Sequence, residues 1–165
     1  MEPKRDGYSR TQIILHWTIA VLILLQFLNQ ELMEAAWHAR TGTPEPGEGS
    51  GMPFPHIIIG VVVLLLAVWR LTLRLRRGVP GRAPHENTFI SLAAKATHIG
   101  LYALIFLMPL TGALAWFGGV EVSARIHVVL RWVLFWLVVL HIAGALFEQF
   151  VLRSNVLRRI TRPQH

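Results

Sequence analysis

Four long apolar blocks constrain this chain more than any other feature: Ile13–Leu28, Ile57–Trp69, Ile99–Phe117 and Val128–Phe147. Crossing a hydrocarbon core of ~30 Å takes about 20 helical residues. With their amphipathic ends the blocks predict spans at about 11–33, 54–76, 92–117 and 124–151. Backbone groups in lipid must be satisfied within the segment or in a closed barrel. Barrel strands would alternate polar and apolar residues, which these blocks do not. The expected fold is all-α: an integral membrane four-helix bundle, with residues 1–165 forming one unit.

Charge orients the bundle. Basic residues fall at Lys4, Arg5 and Arg10 before the first span, at Arg70, Arg74, Arg76, Arg77 and Arg82 between the second and third, and at Arg153, Arg158, Arg159 and Arg162 after the fourth. The other two connections hold Arg40 among Glu31, Glu34, Glu45 and Glu48, and Arg125 near Glu121. The positive-inside rule then predicts that both termini are cytoplasmic. The net charge of +7 reflects topology, and no nucleic-acid partner is expected. The first apolar stretch is too long for a signal peptide and lacks a cleavage site after it. Thr41–Pro55 reads as an exposed outer loop and Gly78–Asn87 as an inner one.

Cysteine is absent. Disulfides, iron–sulfur clusters and covalent haem attachment through Cys-x-x-Cys-His are thereby excluded. The candidate ligands are histidines. Of eight, His38, His85 and His165 fall in predicted loops or at the tail, where solvation explains them. His16, His56, His98, His127 and His141 lie in or at the ends of the spans. A single intramembrane histidine is readily explained by a neighbouring carbonyl. Several spread over all four helices point to function, since such groups are costly in lipid.

Depth sorts them. His16 and His98 lie toward the cytoplasm, His56 and His127 toward the outside. His141 is 14 residues beyond His127, which returns within about 40° of the same helix face and ~21 Å deeper. Haem iron takes two axial ligands on opposite faces of a planar ring, and neutral imidazole serves. Two haem groups would need two such pairs, with the fourth helix contributing to each. His127 has only His56 at its depth; for His141, spacing leaves both His16 and His98 open.

Ala20, Gly60 and Gly144 follow His16, His56 and His141 by one turn. They would let a macrocycle lie against the helix, although small residues are also ordinary packing contacts. Arg125 and Arg131 flank His127; haem propionates would serve as their partners, and snorkelling to the interface is the competing account. Trp17, Trp37, Trp69, Trp116 and Trp132 read as an interfacial aromatic belt.

The chain resembles the bacterial cytochrome b561 family of di-haem membrane cytochromes b. The resemblance runs through Tyr8-Ser9-Arg10-Thr11-Gln12-Ile13 to His16-Trp17, His56-x-x-x-Gly60 with Arg70-Leu71 and Arg74-Leu75, Thr97-His98 with Tyr102, Pro109 and Gly112, and His127 with His141. It implies two haem b groups, one held by His16 with His141 and one by His56 with His127. His98 is then a non-ligand, lining a quinone pocket or contacting a propionate. Family members often carry further histidines near the positions of Lys95 and Glu148. Their absence here leaves the ligand set intact and bears on proton delivery.

The expected function is electron transfer across the bacterial inner membrane to or from quinone, with a redox partner protein or a small external donor such as superoxide. Quinone chemistry needs protons, and His98, Lys95 and Tyr102 are the candidates for handling them. Two other readings are a cytochrome b anchor of a dehydrogenase or hydrogenase, and a haem-free metal transporter or assembly factor. The second requires a polar path, whereas Glu148 is the clearest carboxylate in the spans; hard cations would want more oxygen ligands.

Overall fold

The computed structural model describes residues 7–43, 51–78 and 88–163. Among these residues six helices follow in order: α1 (Arg10–Leu28), α2 (Gln30–Thr41), α3 (Pro53–Arg77), α4 (Thr88–Trp116), α5 (Glu121–Phe150) and α6 (Val156–Thr161). There is no strand among the described residues. α1, α3, α4 and α5 are each long and apolar enough to cross a membrane. Lys4, Arg5, Arg82, Glu45, Glu48, His85 and His165, with residues 44–50 of the predicted outer loop and 79–87 of the inner one, lie outside the described residues.

The ends of the helices follow local rules. Ser9 and Gln12 form a reciprocal capping box at the start of α1, with hydrogen bonds of 3.3 and 3.1 Å. α3 begins at Pro53, where a missing N–H costs nothing. α4 turns into α5 within a few residues, and Gly119 supplies the positive φ of 67° that the turn requires.

The four long helices alternate in direction. Gln12 meets Arg70 and Gln26 meets His56, so α1 and α3 are antiparallel. Ser123 meets Thr111 while His98 meets His141, so α4 and α5 are antiparallel too. Ile19, Val63 and Ala67 form a core between α1 and α3, against which Ile105 and Phe106 of α4 pack. Large apolar side chains cover the outside instead: Leu65 and Trp136 are each 64% exposed. That inversion suits a solvent as apolar as leucine.

Two features depart from the hydropathy pattern. The first apolar helix ends at Leu28, short of residue 33, because Asn29 leaves helical geometry at ψ 7°. A separate helix, α2, then covers a segment expected to belong partly to a loop. It has polar and apolar faces, buries Ala35 and Ala36, and packs on α3. The chain returns to it at once, since Met52 N donates to the Leu32 carbonyl at 3.1 Å. Gly51 lies so close to the Ala36 backbone that no side chain fits there.

α6 is the second. It lies back on the near end of the bundle, the end that holds the start of α1, where the Trp17 indole donates to the Ile160 carbonyl at 3.0 Å.

Candidate haem sites

The antiparallel arrangement gathers the five intramembrane histidines at two levels. At the far end, His56 of α3 faces His127 of α5, with ring centroids 6.2 Å apart and planes at 68°. At the near end, His16 of α1 faces His141 of α5, also at 6.2 Å, with planes at 71°. His98 of α4 stands on another side of His141 at 5.1 Å and 82°. α5 thus contributes to both levels.

Each ring's chemistry depends on which nitrogen carries the proton. The Thr111 hydroxyl lies 2.9 and 3.0 Å from the Leu107 and Met108 carbonyls, which can only accept, and 3.0 Å from His127 Nδ1. With its one proton on a carbonyl it accepts from Nδ1–H, the tautomer in which Nε2 keeps a lone pair for a metal. His98 Nδ1 likewise donates to the Ala94 carbonyl at 2.6 Å, because a carbonyl can only accept.

His56 is held by its backbone. Gln26 Nε2 donates to its carbonyl at 2.9 Å. The His56 Nδ1 and Gln26 Oε1 atoms are both buried without a partner. One is a donor in the metal-binding tautomer and the other an acceptor, so the two are chemically complementary.

A cavity of about 400 Å³ opens between α1, α2, α3, α4 and α5 at the far level, within the ~300–1,000 Å³ typical of cofactor sites. His56, Gly60, Gly112 and His127 line it, and Trp37 and Arg131 lie along it. Gly112 is pressed to the ring: a Cβ there would stand 3.2 Å from His127 Cε1. Gly60 leaves similar room beside Gln26, while nothing lies within 4 Å of where a Cβ on Gly144 would stand.

Arg131, 18% exposed, pairs with Glu34 of α2 at 3.5 Å. Arg125 pairs with Glu121 on the exposed surface of α5. His38 corrects the expectation of a solvated loop residue: α2 carries it to the cavity wall. The tryptophans divide, with Trp37 and Trp116 in contact at 6.4 Å and Trp69 and Trp132 exposed. Lys95 is exposed on α4, one turn before His98.

A donor set of paired neutral imidazoles fits haem iron, and an apolar cavity bordered by an arginine fits a porphyrin with carboxylate arms. Thr111, Gln26, Glu34 and the role of Gly112 against His127 went unread in the sequence. The available signal was polar residues in otherwise apolar helices.

Comparison with known proteins agrees with this chemistry. The sequence model of the family described as prokaryotic cytochrome b561 matches residues 7–163. A protein named cytochrome b562 from Cereibacter sphaeroides is 37% identical over 163 residues, covering 98% of this chain and 99% of its own length. A probable superoxide oxidase CybB from Yersinia pestis is 25% identical, covering 93% and 94%. Cytochrome b561 homolog 1 of Escherichia coli is 26% identical, covering 94% and 97%.

Proposed function

The chain belongs to the prokaryotic cytochrome b561 family, and from that premise we propose that it is a di-haem cytochrome carrying electrons across the bilayer to the quinone pool. It is an integral membrane protein, and haem b binding goes with the family. The numbers of haem groups, their ligands, the quinone and the donor are our reading.

One observation carries it. Two imidazoles that were to hold one iron between them, with metal–nitrogen bonds of about 2 Å, would need ring centroids roughly 6 Å apart. His56–His127 and His16–His141 both stand at 6.2 Å. His98–His141, at 5.1 Å, is too close for an iron between them. On this reading His56 with His127 and His16 with His141 would hold the two haem groups, and His98 is a neighbour.

Haem supplies reversible one-electron chemistry at iron when bound. The protein's part is to hold the rings and manage charge. Thr111 fixes the tautomer of His127, Gly112 limits where its ring can stand, and Arg131 offers a cation beside the far cavity. At the near end His98, with Nδ1 donating to the Ala94 carbonyl, keeps Nε2 free to accept a proton, and the exposed Lys95 lies one turn before it on α4. Arg70, Arg74, Arg76, Arg77, Arg153, Arg158, Arg159 and Arg162 all belong to the near end. By the positive-inside rule this end is cytoplasmic, in a bacterial inner membrane.

The donor we assign is a small anion outside, superoxide being the example suggested by one relative's name. Two superoxide ions give two electrons and become two molecules of oxygen; one quinone takes those electrons with two protons and becomes quinol. The deciding experiment is a reduced-minus-oxidised visible spectrum of the detergent-solubilised protein, with haem quantified per chain. Two non-covalent haem b groups per chain are expected. A folded chain holding none, or one, overturns the di-haem reading.

A further inference from the structure

Arg70 and Arg74 lie one turn apart on α3, both half-buried. Arg70 Nη1 donates to the Gln12 carbonyl at 2.7 Å, and the Arg74 guanidinium lies 5.6 Å from the centre of the Tyr102 ring. With Tyr8 they line a niche of about 10 Å³. The Tyr102 hydroxyl is buried with no hydrogen-bond partner. Among the described residues no carboxylate forms an ion pair with either guanidinium. Two like charges one turn apart repel, and a buried hydroxyl wants a partner. Donors of this kind converging on so small a volume select an anionic oxygen.

Size and place narrow the choice. The niche holds about one water-sized group, so it admits the tip of a carboxylate and excludes a quinone ring. Gln12 is one turn from His16 on α1, and Tyr102 one turn from His98 on α4. We propose that Arg70, Arg74 and Tyr102 form the seat of a propionate carboxylate of the haem held by His16 and His141. This rests on the reading above that those histidines hold a haem between them. An anionic lipid phosphate at the near membrane surface offers similar chemistry from another source.

The test uses the haem-loaded protein, with the propionate carboxylates carbon-13 labelled through the haem precursor. Redox titration and reduced-minus-oxidised infrared difference spectra are recorded for the native chain, Arg74→Gln, Arg74→Lys and Tyr102→Phe. His16→Ala, measured alongside, identifies the haem concerned and tests the underlying reading separately. Removing the cation disfavours the reduced form. Arg74→Gln should therefore change the one-electron equilibrium about tenfold, lowering that haem's potential by about 59 mV, and move a labelled carboxylate band. The other haem should be unaffected. Arg74→Lys should restore most of the potential, and Tyr102→Phe should move the same band with a smaller change in potential. A lowered potential with the labelled bands unmoved overturns the proposal in favour of lipid phosphate. Unchanged potential and bands in both Tyr102→Phe and Arg74→Gln overturn it outright.

Discussion

Thr111 and His127 share a 3.0 Å hydrogen bond whose direction is set by what else the hydroxyl does. With its proton on the helix carbonyl of Leu107 or Met108, the imidazole is the donor. Thr111→Val keeps the shape and removes the acceptor. Loss of such a partner typically costs 10–100-fold in metal affinity. Haem titration of the variant should show that loss at the site that disappears with His127→Ala, and at no other.

Gly112 sets a steric limit on the same ring. A Cβ at 3.2 Å from Cε1 forces the imidazole to give by a few tenths of an ångström. Gly112→Ala should weaken far-site haem binding, and Gly112→Val should abolish it, since overpacking costs typically ~1–3 kcal/mol. Haem per chain and the width of the reduced absorption band measure both. Full occupancy in the valine variant would show that the ring has room elsewhere.

The histidine series separates the pairs. His56→Ala or His127→Ala should each leave one haem per chain, and His16→Ala or His141→Ala should leave the other. His98→Ala should retain both. Retention of both in His16→Ala, with loss of one in His98→Ala, would transfer the ligand role to His98.

The sequence made the membrane frame readable because lipid thickness and backbone hydrogen bonding leave few alternatives to an apolar helix. Ile57–Trp69 and Val128–Phe147 could hardly fold otherwise. α2 was hidden for the opposite reason. It is short and mixed in polarity, and it is separated from α1 only by the local geometry at Asn29. His38 was misplaced with it. At the sites, helical spacing put His127 and His141 on one side of α5, but could not rank His16 against His98. That ranking depends on how α1 and α4 lean on α5, which periodicity within one helix does not encode. Thr111 was invisible as a partner because its contact with His127 crosses between helices.

Glu34 and Arg131 are predicted to matter for potential more than for stability. The carboxylate is about half exposed, so the pair contributes only ~0–1 kcal/mol to folding. Glu34→Gln should leave thermal unfolding nearly unchanged. It should raise the far haem's reduction potential by removing a negative charge near the site. A fall in potential on redox titration would contradict the assignment.

Trp17→Phe removes the indole donor that ties Ile160 to α1. A hydrogen bond of this kind is worth ~0.5–1.5 kcal/mol net. Amide exchange should quicken across α6 while the exchange of α3 and α4 stays as it was.

α5 runs unbroken from one histidine level to the other, so it works as a gauge block. The spacing of His127 and His141 is set by the rise and twist of a continuous helix, about 1.5 Å and 100° for each residue. Connections at either end can vary in length without disturbing that dimension. One residue inserted between the two histidines would swing one imidazole about a quarter-turn away from its partner. The molecule can therefore tolerate change in its loops, but hardly any change of length in this single stretch.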